Sequence, residues 1–412
     1  MKQVVALGAL ILGGIVVACG ASAARGQFED KVPDAAVVVD SATAPLPETG
    51  PLFNDADPTE ELSPQGTWTG TVYTPAADIP ISGALVYLTP KKPEPIPDGN
   101  FCDTCVQLNA KYPKALTKFD GTFSLVANRP GKQYLVIQKG QFRRVLEVDV
   151  KPGDVRVSKK DSSFVSRKDA ATGDMVPSIL VSTGNYDEIE KTLDKLGITS
   201  YDKESESNEK RFLSDAARLA RYHILFLPCG SCVTGGGTNF SADDPAVKKG
   251  LKDFATAGGK VYVTDWKQGF VSEPFPEYVQ FEQARGCTGA GYESRAIVTD
   301  DGLRDWLNGL GHTTFNLEAN YQTVTRVKSI LVKDSMGVEK PYTPKVWMSG
   351  RKNITGPETV NTLSFEYGCG RVLYSTYHTE PSTGSGLSPQ EKALFYILFE
   401  VAACVIEPVI PK

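Results

Sequence analysis

Three histidines occur among 412 residues. One of them, His378, stands two positions before Glu380 at the end of an apolar run, Val372–Tyr377. A histidine followed by a carboxylate at the mouth of a buried strand has the makings of a general base and its orienter, since open α/β sheets present their chemistry at strand ends. Cysteine is the second reactive type. Eight are present, and four of them form two Cys-x-x-Cys pairs, Cys102 with Cys105 and Cys229 with Cys232. Such a pair can be half a zinc site, a redox couple or a local disulfide. No His or Cys follows Cys105 before His223, so a disulfide stapling an exposed loop is expected there. Pro228-Cys229-Gly230-Ser231-Cys232 leads into Gly235-Gly236-Gly237. That is a poor helix start, and the dipole that acidifies the first cysteine of a redox motif is missing. A disulfide, internal or to Cys287, is the expectation.

The balance of 44 basic and 49 acidic residues, without a basic block, argues against nucleic acid as a partner. The glycine triplet lacks the Lys-Ser/Thr of a phosphate loop, and no cofactor is expected. Asp243-Asp244 and Asp300-Asp301 fall at predicted helix starts, where aspartate favours the helix dipole, so they read as caps and no metal set is expected. Met1-Lys2-Gln3 precedes the apolar run Val4–Ala18, which is too short to span a bilayer comfortably and has the layout of an export signal. The run ends Val16-Val17-Ala18-Cys19, which resembles the lipobox of bacterial lipoproteins. That resemblance implies removal of residues 1–18, acylation of Cys19 and a membrane partnership through lipid. The location it implies is the cell envelope, at the outer membrane in preference to the inner. Outside the anchor remain Cys102, Cys105, Cys229, Cys232, Cys287, Cys369 and Cys404, all candidates for disulfides in an exported setting. Their number is odd, so at least one thiol is left free or pairs with another chain. Cys369 precedes a strand and Cys404 lies in the last predicted helix, which makes a Cys369–Cys404 bond the expected pairing.

Residues 19–65 are rich in Ala, Pro, Asp, Thr and Glu without period, the composition of a tether. Short alternating runs bounded by Gly, Pro and Asp then fill 66–154 and predict a small antiparallel β-sandwich. Gly70-Thr71-Val72, Gly83-Ala84-Leu85-Val86, and Thr117 with Asp120-Gly121-Thr122-Phe123 resemble the carboxypeptidase regulatory-like, transthyretin-like domain. The likeness implies a spacer or binding module, here with an insertion at Lys91–Lys114. Residues 155–175 are charged and aperiodic and read as a linker. From 176 to 412 the texture is strand, helix, strand, helix, strand with continuous apolar runs, predicting a flavodoxin-like, doubly wound parallel sheet.

The order of these elements resembles the class I glutamine amidotransferase-like superfamily. Ile224–Gly230 matches the strand and loop that build the family's oxyanion hole, so Cys229 and Gly230 are candidates for an oxyanion or binding loop. Gly259–Trp266 matches the nucleophile strand and elbow, and His378-Thr379-Glu380 the base and orienter. The departure lies at the elbow, where the family's cysteine is replaced by Thr264-Asp265. Asp265, His378 and Glu380 are thus candidate site residues in a degenerate site. The expected role is a binding or structural module for a protein or small polar ligand. Two other readings stay open, a hydrolase with a rearranged site around those three residues and a thiol-redox lipoprotein.

Overall fold

A computed structural model describes residues 62–103, 106–235, 240–333, 338–353, 355–379, 386–399 and 405–406. Cys19, Cys105, Glu380 and Cys404 lie outside the described residues, as do the signal run and most of the tether. Two small sheets come first. One has the strand order Thr122–Ala127, Gly66–Thr71, Val155–Arg156; the other Lys114–Leu116, Leu85–Thr89, Gly131–Lys139, Phe142–Val150. Alternation decides which side chains face inward: Phe123, Leu125 and Ala127 are buried, while Ser124 and Val126 between them are exposed. They share one core with Trp68, Val86, Leu88 and Ile137.

The second half is organised by five parallel strands: β1 (Ile179–Thr183), β2 (Asp202–Ser205), β3 (Ile224–Leu227), β4 (Lys260–Thr264) and β5 (Gly370–Ser375). They lie in the order β2-β1-β3-β4-β5, one of the two common doubly wound orders. β1 and β3 are apolar on both faces because both faces are covered. On one side Ile179, Val181, Phe226, Tyr262 and Leu373 pack with Ile189 and Leu193 of α1 (Ile189–Lys195) and with α3 (Pro389–Phe399), numbered after α2 below. On the other, Leu180, Leu225, Val261, Val263 and Tyr374 pack with Val247, Leu251 and Phe254 of α2 (Pro245–Thr256). Asp244 caps α2 through the Ala246 amide at 2.8 Å, and Asp300 caps the helix Asp301–Gly309 through Leu303 at 2.7 Å. Beyond β5 the sheet turns antiparallel with Glu358–Tyr367, Val324–Val327 and Val279–Phe281.

After β2 the chain forms two short helices, Glu209–Leu213 and Ala216–Leu219, because Asp215 caps a new start through the Arg218 amide. The linker expectation changes. Residues 155–175 carry a strand and the helix Lys159–Ser162, and Phe164 and Met175 are buried. Asp174 anchors this stretch to Arg144 at 2.7 Å. The core that holds Trp68 and Phe123 also holds Ile179, Leu373 and Phe395, so apolar packing runs without a break from the first sheets into the second half.

The insertion between Lys91 and Lys114 is a clasp on the edge of the sheet where β3, β4 and β5 begin. The Asn100 amide donates to Ala220 O at 3.1 Å, and His223 Nε2 donates to Pro97 O at 3.0 Å. Lys260 Nζ stands 3.0 Å from Asp103 Oδ2. Cys102 is bonded to Cys369. Neither the loop staple with Cys105 nor the Cys369–Cys404 bond therefore forms, since Phe101 and Cys102 lie against the turn at Gly258 that precedes β4, beside the start of β5. A second disulfide joins Cys232 to Cys287. Among the described residues no helix is long and apolar enough to cross a membrane.

Candidate functional site

Each parallel strand delivers side chains to one cluster at its C-terminal end. Asp187 follows β1, Glu206 and Glu209 follow β2, Cys229 follows β3, Asp265 and Lys267 follow β4, and His378 follows β5. Their side chains lie below the surface: Cys229, Asp187 and Asp265 have no exposure and His378 retains 3%. The strand ends approach closely because Gly184 has no side chain. A Cβ there would stand 2.2 Å from Cys229 O.

β4 ends in a strained turn. Asp265 adopts φ 44°, a left-handed conformation that is uncommon outside glycine and that clusters at functional sites. Such a backbone resembles that of a nucleophile elbow, and here it carries a buried carboxylate. Tyr374 Oη donates to Asp265 O at 2.9 Å and pins the turn from β5. The Asp265 carboxylate accepts the Tyr321 amide at 3.1 Å, and its Oδ2 lies 2.9 Å from His378 Nε2. Burial pushes the Asp265 carboxyl up to about 6, against the pull of His378, which leaves it ionised at neutral pH. Burial by itself would lower His378. Its pairing with Asp265, its contact with Cys229 and the charges of Cys229 and Asp187 outweigh it and push the imidazole up to about 12. The pair is an imidazolium and a carboxylate.

Among the described residues Cys229 is the one free thiol, buried and bonded to no other described cysteine. The expected disulfide from Cys229 does not form, because its side chain turns inward to His378 while Cys232 turns to Cys287. Burial pushes the thiol up, and His378 offsets this only in part. Cys229 Sγ, an Asp265 carboxylate oxygen and a His378 ring nitrogen all lie within 4.8 Å of one another. Thr264 ties the ends of β3 and β4 together: its Oγ1 accepts the Cys229 amide at 2.7 Å and donates to Asp187 at 2.9 Å. Asp187 also accepts the Thr379 amide at 2.9 Å.

The loop at Gly230 is filled from within. Glu206 Oε2 would stand 2.1 Å from a Cβ on Gly230. The same carboxylate accepts the Ser231 amide at 2.8 Å, Ser231 Oγ at 2.7 Å and Lys267 Nζ at 3.1 Å. Burial works against the Glu206 charge, but Ser231 and Lys267 outweigh it and hold the carboxyl below its usual range. Lys267, itself buried, is also paired with Glu209 at 2.9 Å. An aromatic row runs outward from the cluster. The ring of Tyr321 stacks on His378 at 5.5 Å, Trp266 meets Tyr321 at 5.4 Å, and the exposed Tyr186 meets Trp266 at 5.9 Å.

Of the residues singled out in the sequence, Asp265, His378, Cys229 and Gly230 meet here, whereas Cys102, Cys232, Cys287 and Cys369 serve disulfides elsewhere. Asp187, Glu206, Glu209, Lys267 and Tyr321 escaped sequence reasoning. The strand-end rule applied to β1 would have marked Asp187. Tyr321 arrives from the antiparallel part and carries no local signal.

No family model matches the chain, and no curated protein matches it. Solved structures resemble it weakly. A ThuA-like protein from Bacteroides uniformis is 9% identical, with 54% of this chain and 89% of that one covered, at a TM-score of 0.33. PurLQS from Thermotoga maritima is 14% identical, with 54% and 98% covered, at 0.35. A β-galactosidase from Bacillus circulans sp. alkalophilus is 12% identical, with 57% of this chain and 32% of that enzyme covered, at 0.30.

Proposed function

We propose that the chain is an exported, lipid-anchored envelope protein whose second half is a flavodoxin-like, amidotransferase-like scaffold used for binding rather than turnover. The observation that carries this reading is the Asp265–His378 pair. The elbow is present with φ 44°, but it holds a carboxylate that cannot perform the acyl chemistry of a thiolate. The neighbouring histidine already carries its proton. Two amides of the loop are also taken: that of Cys229 by Thr264 and that of Ser231 by Glu206. The aromatic row of Tyr186, Trp266 and Tyr321 supports a small polar ligand with a flat face, held at the mouth above His378. Two disulfides agree with an oxidising, exported setting.

The anchor is tested by Cys19→Ser, which is expected to abolish acylation and release the protein from membranes. An unmodified N-terminal residue in the mass of the mature wild-type protein would sink that part of the reading. A second reading, a cysteine hydrolase, draws on one observation, the Cys229–His378–Asp265 succession. Against it stand the burial of the thiol, its upward shift and the occupied amides. Assay of the full chain against amide and ester substrates separates the two, because only the hydrolase loses turnover in Cys229→Ser.

A further inference from the structure

We propose that Cys229, Asp265 and His378 are the ligands of a thiophilic divalent cation, with zinc as the reference case. Their donor atoms, one thiol sulfur, one carboxylate oxygen and one ring nitrogen, lie within 4.8 Å of one another, and all three side chains are buried. Zinc binds sulfur at about 2.3 Å and nitrogen or oxygen at about 2.0–2.2 Å, which sets its ligands roughly 3–4 Å apart around a tetrahedron. The donor triangle here needs a contraction of roughly 1–2 Å at its widest to match that shape. The 2.9 Å between His378 Nε2 and Asp265 Oδ2 must open slightly for both atoms to ligate one ion.

The frame is rigid. The ligands follow β3, β4 and β5, three neighbouring parallel strands. Supporting bonds orient them, as metal sites require: Thr264 Oγ1 on the Cys229 amide at 2.7 Å, and the Tyr321 amide on Asp265 at 3.1 Å. Binding takes the thiol as thiolate and the imidazole in its neutral form, so uptake of the ion releases protons. A thiolate and an imidazole select borderline and soft ions, while magnesium and calcium require oxygen donors. A buried three-ligand site leaves a fourth position for water or a small ligand, and it can store or sense a metal whether or not it turns over a substrate.

The test uses the full chain carrying Cys19→Ser, stripped with chelator and titrated with Co²⁺. One Co²⁺ per chain is expected, with a sulfur-to-cobalt charge-transfer band that Zn²⁺ abolishes by displacement. Cys229→Ser and Cys229→Ala are expected to lose the band, and His378→Ala to lose stoichiometric binding, with circular dichroism checking that each variant is folded. Zinc-edge X-ray absorption on the zinc-loaded chain, which needs no further variant, is expected to find one sulfur neighbour per zinc. Absence of stoichiometric binding, zinc without a sulfur neighbour, or a cobalt–sulfur band that survives in folded Cys229→Ser would each overturn the proposal.

Discussion

The carboxylate of Asp265 stands 2.9 Å from the imidazole of His378, and the backbone beneath it is held at φ 44°. Strain and ion pairing coincide at one residue, and each constrains what can replace it. Asn tolerates the left-handed backbone but removes the charge. Asp265→Asn is therefore expected to destabilise the fold by about 3 kcal/mol, the range for unpairing a buried charge. It is also expected to lower the His378 pKa from about 12, because the contribution of Asp265 is lost while those of Cys229 and Asp187 remain. Urea denaturation and the NMR titration of His378 check the two halves. A loss under about 1 kcal/mol would mean that the pair is not the keystone claimed here.

Lys267 lies between Glu206 and Glu209 at 3.1 and 2.9 Å. Lys267→Met strands the buried Glu209 and is expected to cost about 3–5 kcal/mol. The double variant Lys267→Met/Glu209→Leu, which replaces a buried pair with apolar groups, is expected to recover most of that loss. A double-variant cycle in urea decides, and simple additivity would contradict the pairing.

His223 joins the clasp to the sheet as a neutral ring: Nδ1 accepts the Ser178 amide at 2.9 Å and Nε2 donates to Pro97 O at 3.0 Å. Burial holds its pKa below 6.5, so the unfolded chain takes up this proton more readily than the folded one. Its contribution is therefore full above pH 6.5 and is lost as pH falls through the lower folded value. Unfolding midpoints measured from pH 7.5 to pH 5 are expected to decline, with a slope of at most about 1.4 kcal/mol per pH unit from this residue. His223→Gln should flatten that part of the decline, and an identical profile in the variant would remove His223 from the account.

How much of this was legible in the sequence follows from how local each feature is. β1, β3, β4 and β5 were readable because strands covered on both faces must be continuously apolar. Asp265 and His378 were readable as strand ends. The partner of Cys229 was not, since only the order β3-β4-β5 brings its thiol to a histidine 149 positions away (378 − 229). The Cys102–Cys369 bond spans 267 residues and depends on where the clasp lands, which no local pattern encodes. Residues 155–175 read as a linker because Phe164 and Met175, buried among charged neighbours, are too few to set a period.

That disulfide has a stability consequence. It closes a long loop and is expected to contribute roughly 2–5 kcal/mol, so Cys102→Ser should lower the unfolding free energy by that order. Peptide mapping of the unreduced protein should recover the Cys102 and Cys369 peptides joined. Recovery of Cys369 joined to Cys404 would contradict the fold at the start of β5.

Binding without turnover at the elbow site is tested by an assay of the purified full chain against amide and ester substrates, with His378→Ala and Cys229→Ser alongside. No hydrolysis above the rate of the two variants is expected. Robust turnover that disappears in both variants would contradict it and identify a cysteine hydrolase.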